Sequence, residues 1–242
     1  MCYNISLLNP SELGIRYDIP LSLDDPLFKI QPIYHRNAFD LLKYPIITNQ
    51  EPKKINYFTW GLIPYWIKNL NIAKKIQVKT MNARCETIFE KPSFKSAVEK
   101  RRCIIPVDGF FEWRYYNGKN YPYYVYLPNN KIFSIAGIWD VWNNSDTEKD
   151  HYTFSLITCR ANQMMEKIHN KKKRMPVILP RNSENEWIDN KSSKYKIERM
   201  LKPYCLNDLQ AHTVSRLITN KNKQRNVSDV IKQFEYLELP KY

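Results

Sequence analysis

Apolar residues are most concentrated in short runs in the middle of the chain. Five of these runs are rich in β-branched and aromatic side chains, a composition typical of strands: residues 103–107 (CIIPV), 110–116 (FFEWRYY), 121–127 (YPYYVYL), 132–139 (IFSIAGIW) and 152–159 (YTFSLITC). Asn117-Gly118 lies between the second and third runs and predicts a tight β-hairpin.

Helical patterns lie outside this central block. We predict helices at residues 37–43 (NAFDLLK), 83–90 (ARCETIFE), 161–169 (ANQMMEKIH), 184–188 after a Ser183 N-cap, 192–201 (SSKYKIERML) and 228–234 (SDVIKQF). Central strands with helices around them predict an α+β fold. Its core is expected to be a curved, mostly antiparallel, barrel-like sheet.

Size and composition favour one domain. The chain has 242 residues, of which 43% are hydrophobic, enough to bury one sizeable core. It has no internal repeat and only five glycines, which leaves little material for a flexible linker. We therefore expect a single domain spanning residues 1–242 and a monomeric protein.

The sequence also bears on location. No apolar run approaches the length of a membrane span, and the opening MCYNISLLNP lacks the basic and apolar segments of a signal peptide. We expect a soluble, cytoplasmic protein without a membrane partner. Five scattered cysteines with no CxxC pair argue against a disulfide scaffold and a structural zinc site, so we predict neither metal nor cofactor.

The charge balance points to a polyanionic partner. The formal net charge is +14 and the isoelectric point is about 9.4. Nucleic acid is favoured over a membrane surface because no basic amphipathic helix stands out. A lysine-rich surface that reflects only codon usage is the alternative, since charge alone specifies no function.

Cys2 carries the most unusual chemistry in the sequence. A small residue at position 2 favours removal of Met1, which would leave cysteine as the amino terminus. An α-amine has a pKa of about 7.7 to 8.0, so a useful fraction is neutral at pH 7 and can form an imine with an aldehyde. The neighbouring thiol can then close a five-membered thiazolidine. The alternative is a small buried residue entering a first strand.

Several motifs favour the chemical role of Cys2 over the role of a small buried residue. The segments WGLIPYW (60–66), TMNARCETI (80–88), RRCIIPVDGFFEWR (101–114) and TCRANQMMEKIHNKKKRMPVILP (158–180), together with Cys2, resemble the SOS response-associated peptidase family, also called abasic-site processing proteins. The resemblance covers most of the chain and keeps the motif order. It implies a protein that binds single-stranded DNA and crosslinks the ring-opened aldehyde of an abasic site to its N-terminal cysteine.

The resemblance also implies roles for individual residues. Cys2 matches the nucleophile, Asn82 the active-site amide, Glu112 the acid/base carboxylate and His169 the active-site imidazole. Two arginines, Arg84 and Arg174, match residues that hold DNA phosphates.

Two departures from the family pattern affect the DNA contacts. The common Cys-Gly-Arg start is Cys2-Tyr3-Asn4 here, so one phosphate contact is missing or replaced. Asn170 and Lys171–Lys173 separate His169 from Arg174, where the common form has a single residue.

The residues themselves leave alternatives open. Glu112 in an aromatic setting suits proton delivery during imine formation, but an exposed strand carboxylate fits as well. His169 suits proton transfer during opening of the sugar ring, or a core or capping role. Asn82 suits hydrogen bonding to the amine or sugar, or the N-cap of a helix over 83–90.

Aromatic and basic residues supply candidate DNA contacts. Trp60, Trp66 and Trp113 are candidate stacking platforms for unpaired bases, with core packing as the alternative, above all for Trp60. The basic runs 100–102 and 171–174 are candidate phosphate tracks or solvated faces.

Two rival functions remain at this point. One is a thiol peptidase built on Cys2, His169 and a polar partner, and limited self-removal of Met1 would be compatible with crosslinking. The other is a non-catalytic reader of modified or damaged DNA.

Overall fold

The computed structural model describes residues 2–22, 24–25, 29–144, 147–206, 208–220 and 222–240. Within them the strands are β1 (Asn4–Leu7), β2 (Ile33–Asn37), β3 (Lys43–Thr48), β4 (Ile55–Trp60), β5 (Asn82–Arg84), β6 (Arg102–Val107), β7 (Gly109–Tyr116), β8 (Lys119–Tyr126), β9 (Phe133–Asn144), β10 (Lys149–Arg160), β11 (Arg174–Pro176), β12 (Ile178–Leu179) and β13 (Gln210–Thr213). The α-helices are α1 (Leu13–Tyr17), α2 (Leu70–Gln77), α3 (Lys95–Lys100), α4 (Gln163–Ile168), α5 (Glu184–Ile188) and α6 (Lys194–Met200).

The strands form two sheets, and one of them closes on itself. Strands β10, β4, β3, β6 and β9 pair in that order, and β9 pairs back onto β10 to complete a ring. The second sheet has the order β13-β8-β7-β1-β2. Most pairings are antiparallel, while β10 pairs in parallel with β4 and β5. The predicted α+β fold with a barrel-like, mostly antiparallel core is confirmed.

One hydrophobic cluster joins the two sheets. Ile5 and Phe110 of the second sheet belong to the same buried cluster as Ile104 and Phe154 of the closed ring. A shared core of this kind favours the predicted single domain. Among the described residues, no helix has the length and apolar character needed to cross a membrane.

The central strand predictions are confirmed. Each of the five predicted runs lies largely within a strand, from β6 to β10. Asn117 and Gly118 have φ values of 43° and 78°, as the tight turn between β7 and β8 requires. Asparagine and glycine tolerate positive φ better than other residues do, which is why the pair specifies this turn.

Three of the helix predictions are also confirmed. Segments 161–169, 183–188 and 192–201 contain α4, α5 and α6. Asn162 caps α4 by accepting a hydrogen bond from the Met165 amide. Ser183 precedes α5, but its side chain makes no capping hydrogen bond.

The other three helix predictions are wrong. Segment 37–43 contains a 3-10 turn that ends at Leu41, whose φ of 51° is incompatible with a continuing helix. Segment 83–90 begins in β5 and continues into a 3-10 turn. Segment 228–234 holds another 3-10 turn, Ser228–Ile231. In each case a strand or short turn replaces the helix because tertiary pairing outweighs weak local preference.

The basic run 100–102 is not a phosphate track along its whole length. Arg102 is fully buried and donates hydrogen bonds to the backbone carbonyls of Val98, Glu99, Trp187 and Asp189. Arg101 forms an ion pair with Asp140 at 3.1 Å. These two guanidinium groups hold α3, α5 and β9 together, so neither the DNA-track nor the solvated-face interpretation applies to Arg102.

Candidate active site

Pairing of β1 with β7 brings Cys2 and Tyr3 close to Glu112. Ile5 lies opposite Phe110 and Ser6 opposite Gly109, and continuing this register places Tyr3 opposite Glu112. Cys2 is fully buried, and its Sγ lies 3.7 Å from the carbonyl oxygen of Asn4. Burial raises the pKa of the Cys2 thiol, and the Glu112 carboxylate raises it further. The thiol is therefore protonated at neutral pH and lies within range of the Glu112 charge.

Glu112 is a buried carboxyl group. The residue is 3% exposed, and burial raises its pKa to about 7. The predicted elevation of its pKa is thus supported, and the exposed strand carboxylate is ruled out. A carboxyl group with this pKa exists in both protonation states near neutral pH, which suits proton donation and acceptance in one reaction.

His169 follows α4 and faces Glu112. Its Nδ1 lies 3.5 Å from Oε2 of Glu112 and 2.9 Å from the carbonyl oxygen of Arg174. A carbonyl oxygen only accepts, so Nδ1 carries the hydrogen and Nε2 is the unprotonated nitrogen of the neutral ring. Burial lowers the pKa of His169 to about 4, which keeps the ring neutral at physiological pH.

Asn170 fixes the segment after His169 to β7. Its Nδ2 donates to the carbonyl oxygen of Tyr115 at 2.8 Å, and its Oδ1 accepts from the Tyr115 amide at 3.0 Å. Lys171 places its ammonium 3.4 Å from the centroid of the Tyr115 ring. Asn170 therefore anchors the start of the inserted lysines to β7 and holds His169 beside the strand that carries Glu112.

We expect Asn170→Ala to lower the free energy of unfolding by about 1 to 3 kcal/mol, because two hydrogen bonds are lost and two backbone groups lose their partner. Urea unfolding followed by circular dichroism measures this change. Asn182→Ala at an exposed position is the control and should change stability by less than about 0.5 kcal/mol. Equal stabilities of the two variants would contradict the tether.

The two predicted phosphate-binding arginines share one carboxylate. The side chain of Arg84 is 61% exposed, and its Nε lies 3.8 Å from Oε2 of Glu86. Arg174 is 6% exposed, forms an ion pair with Glu86, and donates from Nη2 to the carbonyl oxygen of Thr158 at 2.7 Å. Arg84 is thus open to a ligand, whereas the guanidinium of Arg174 is engaged within the protein. Phosphate binding by either residue stays a prediction.

Asn82 has a buried amide without a hydrogen-bond partner among the described residues. Asn82 is 8% exposed, and neither Oδ1 nor Nδ2 makes a hydrogen bond there. It lies in β5, opposite Leu156 of β10, so the alternative of a helix N-cap is wrong. An amide left in this state costs about 1 to 3 kcal/mol, which a ligand that hydrogen-bonds to it would offset.

The three tryptophans occupy different environments. Trp60 is 1% exposed, donates from Nε1 to the Met81 carbonyl oxygen at 2.8 Å and stacks on Phe154. It is a core residue, and its assignment as a stacking platform is wrong because neither ring face reaches solvent. Trp66 is 45% exposed and Trp113, next to Glu112, is half-buried. Base stacking by these two residues stays a prediction.

Comparison with known proteins identifies the family. A family model described as SOS response associated peptidase (SRAP) matches residues 8–221. The chain belongs to the SRAP family. Two Bacillus subtilis relatives, YoqW and YoaM, are each named an abasic site processing protein. YoqW is 37% identical over 177 residues, which cover 72% of this chain and 75% of its own. YoaM is 36% identical over 189 residues, 76% of this chain and 79% of its own.

Solved structures support the SRAP fold. The chain superposes on a crystal structure of a Bacteroides thetaiotaomicron protein with a TM-score of 0.90 and 36% identity, over 97% of this chain and 100% of that one. A Bordetella bronchiseptica protein with a TM-score of 0.74 and 23% identity, covering 88% of this chain and 100% of that one, shares the fold.

Three residues that hold the candidate site together were not predicted from the sequence. Glu86 bridges the two arginines, Thr158 holds Arg174, and Asn170 tethers the segment after His169. The helix predicted over 83–90 did not indicate that Glu86 pairs with the arginines. Its position two residues after Arg84 is nevertheless a usable signal. Thr158 and Asn170 gave no signal, because their partners are distant in sequence.

Proposed function

We propose that this protein processes abasic sites by crosslinking them to Cys2 in single-stranded DNA. The observation that carries the proposal is the buried group of Cys2, Glu112 and His169, in which Glu112 has a pKa of about 7 and the imidazole is neutral. Membership of the SRAP family and relatives named abasic site processing protein support the choice of substrate.

The first step forms an imine. After removal of Met1, the neutral α-amine of Cys2 attacks the ring-opened aldehyde of the abasic sugar and gives a carbinolamine. Protonated Glu112 donates a proton to the carbinolamine oxygen, which leaves as water while the C=N bond forms. Glu112 is then a carboxylate, and the imine nitrogen is positively charged.

The second step closes the ring. The Cys2 thiol, whose pKa is raised by burial, still carries its proton and cannot react as a free thiolate. The Glu112 carboxylate accepts that proton as sulfur attacks the imine carbon, so the proton lent in the first step is recovered. The sum is one aldehyde, one amine and one thiol converted to a thiazolidine and one water.

Neutral His169 is assigned to opening of the sugar ring, which precedes imine formation. With its hydrogen on Nδ1, the ring presents Nε2 as a base that can accept the hydroxyl proton of the sugar during ring opening. The arrangement favours crosslinking over a general thiol peptidase. A peptidase of that kind relies on a thiolate and an imidazolium, whereas here burial keeps the thiol protonated and the imidazole neutral.

DNA binding is assigned to the surface beside this group. Arg84 offers an exposed guanidinium for a phosphate, and Asn82 offers a buried amide without a partner among the described residues. A single strand is the preferred form, because a buried nucleophile requires an unstacked sugar that can enter the site. We propose that the protein acts as a monomer.

The deciding experiment is incubation with single-stranded DNA that carries one abasic site, followed by denaturing electrophoresis. A covalent band that is absent with intact DNA supports the proposal. Absence of this band with abasic DNA, while the protein is folded, refutes it.

Mass spectrometry of the purified protein distinguishes crosslinking from non-catalytic reading, since only crosslinking requires loss of Met1. Equal reaction with continuous duplex would contradict the preference for single strands.

We expect DNA affinity to fall steeply with salt. For single strands, log K should fall linearly with log salt with a slope of roughly −0.7 per phosphate contact. Arg84→Ala should reduce the magnitude of that slope by about 0.7. Fluorescence anisotropy with a labelled oligonucleotide over a salt series measures both. A slope unchanged in Arg84→Ala would remove this residue from the phosphate contacts.

A further inference from the structure

Asn4 occupies a position where the family commonly has arginine, but its side chain is not available to DNA. Asn4 is 6% exposed and begins β1, with Asn37 of β2 as its Cα partner. Its Oδ1 accepts hydrogen bonds from His35 Nε2 and from Asn37 Nδ2, each at 2.8 Å. The side chain therefore points into the protein, and its amide oxygen has two donors.

The partners of Asn4 reach the rest of the site. The ring of His35 contacts Phe111 edge-on, with centroids 5.7 Å apart, and Phe111 immediately precedes Glu112. Asn37 also accepts a hydrogen bond from the Phe39 amide at 2.8 Å. The amide of Ala38 donates to the carbonyl oxygen of Tyr3 at 2.9 Å. The start of β1 is thus held by hydrogen bonds to the Tyr3 carbonyl oxygen and to the Asn4 side chain.

This network lies on the opposite side of the sheet from the Glu112 side chain. Continuing the β1–β7 register places Tyr3 opposite Glu112 and Asn4 opposite Phe111. Side chains alternate along a strand, so Asn4 faces away from Glu112 together with Phe111 and His35. The amide of Asn4 can therefore hold the backbone of residues 2 and 3 without touching the substrate.

We infer that Asn4, through His35 and Asn37, is a positioning residue that sets the distance between the Cys2 amine and thiol and the Glu112 carboxyl group during crosslinking. This inference rests on the proposed function. It replaces the expectation of a missing or substituted phosphate contact at this position. A misplacement of about 1 Å in a reacting group costs on the order of 10²-fold in rate, so a loose N-terminus would slow the reaction without weakening DNA binding.

The test compares binding with chemistry in the same variants. Affinity is measured on an oligonucleotide with a tetrahydrofuran residue, which lacks the aldehyde and cannot crosslink. The rate is measured under single turnover with saturating abasic DNA. We expect Asn4→Ala to retain affinity within about twofold and to crosslink roughly 10²-fold more slowly. Asn4→Asp keeps an acceptor oxygen and should recover most of the rate.

A small free aldehyde provides a second readout. Glyoxylate diffuses to an N-terminal cysteine without being positioned by DNA, so Asn4→Ala should also form that thiazolidine more slowly than the wild type, because the amine and thiol are displaced from Glu112 whatever delivers the aldehyde. His35→Leu should behave as Asn4→Ala does, and His35→Gln, which retains a donor near Nε2, should be faster than His35→Leu. The His35 pair carries the test if Asn4→Ala does not fold by circular dichroism.

The control is another buried amide that does not touch β1. Asn49 is 3% exposed and accepts a hydrogen bond from Trp139 Nε1 at 3.1 Å. Asn49→Ala should lose stability and still crosslink at the wild-type rate. Folded Asn4 and His35 variants that crosslink as fast as the wild type would overturn the inference while leaving the proposed function intact. Absence of crosslinking in the wild type would instead refute the proposed function.

Discussion

Cys2→Ala is expected to abolish the stable covalent band with abasic single-stranded DNA. Alanine is also small enough at position 2 for Met1 to be removed, so the α-amine remains available. Without the thiol, the imine cannot close to a thiazolidine and hydrolyses during denaturation. Treatment with borohydride before electrophoresis reduces the imine and should restore a band. The expected contrast is a full loss without reductant and a visible product with it.

Cys205→Ala is the matched control for this variant. Cys205 is an exposed free thiol, whereas Cys2 is buried beside Glu112. If any accessible thiol could capture the aldehyde, Cys205→Ala would lose part of the band. A stable band of undiminished intensity from Cys2→Ala would contradict the thiazolidine mechanism.

Glu112→Gln is expected to slow crosslinking by about 10² to 10⁴-fold, the range typical of a positioned general acid or base. Glutamine has nearly the same shape but can neither deliver the proton that expels water nor accept the thiol proton. DNA affinity on the tetrahydrofuran oligonucleotide should remain unchanged, because Glu112 is not assigned to a phosphate. Single-turnover rates with abasic DNA measure the effect.

The pH dependence of the rate identifies the acid. Glu112 has a pKa of about 7, so its protonated fraction falls as pH rises through that value. The neutral fraction of the α-amine rises over the same range, with a pKa of about 7.7 to 8.0. The wild-type rate should therefore pass through a maximum near neutral pH. Glu112→Gln should lose the decline at high pH and rise monotonically as the amine deprotonates.

Stability supplies an independent check on Glu112. Its pKa is raised from an ordinary 4.5 to about 7, so the folded protein binds more protons than the unfolded chain between these values. The free energy of unfolding must then fall as pH rises through this window. Glu112→Gln should show a flatter dependence in urea unfolding at pH 5, 6 and 7. An identical pH dependence in both proteins would show that Glu112 is not titrating there.

Glu184→Gln is a suitable control for these measurements. Glu184 is also buried, but it pairs with Arg16 and accepts from Ser134. The variant should be less stable than the wild type because it breaks this ion pair. At temperatures where it is folded, it should crosslink at the wild-type rate. Slow crosslinking in Glu184→Gln would indicate that loss of a buried carboxylate, rather than of Glu112, accounts for the effect.

The strongly patterned parts of the fold were predictable from local sequence. The Asn117-Gly118 turn and its two flanking strands follow from backbone preferences that no distant residue needs to supply. The helix predicted over 83–90 failed because β5 forms by pairing with β10, a contact about 75 residues away in the sequence. Closure of the ring by β9 and β10 was likewise beyond local patterns.

The candidate site was likewise predictable only in part. The motifs around Glu112 and His169 identified both residues by resemblance, and burial then accounts for the direction of each pKa shift. The network of Asn4 with His35 and Asn37 could not be predicted, since the departure at position 4 reads only as a lost arginine. Its meaning depends on a strand pairing that brings residues 4 and 37 together.

The two ends of this site are made at very different times. Cys2 is translated 172 residues before Arg174, whose carbonyl oxygen fixes the His169 ring. At about 5 to 20 residues per second, roughly 10 to 30 s separate the two. Cleavage of Met1 by an aminopeptidase can occur within that interval, whereas self-cleavage that uses His169 must wait for it to end. On the proposed mechanism, the Cys2 thiol is therefore an unshielded nucleophile until the residues that bury it in the folded protein have been translated.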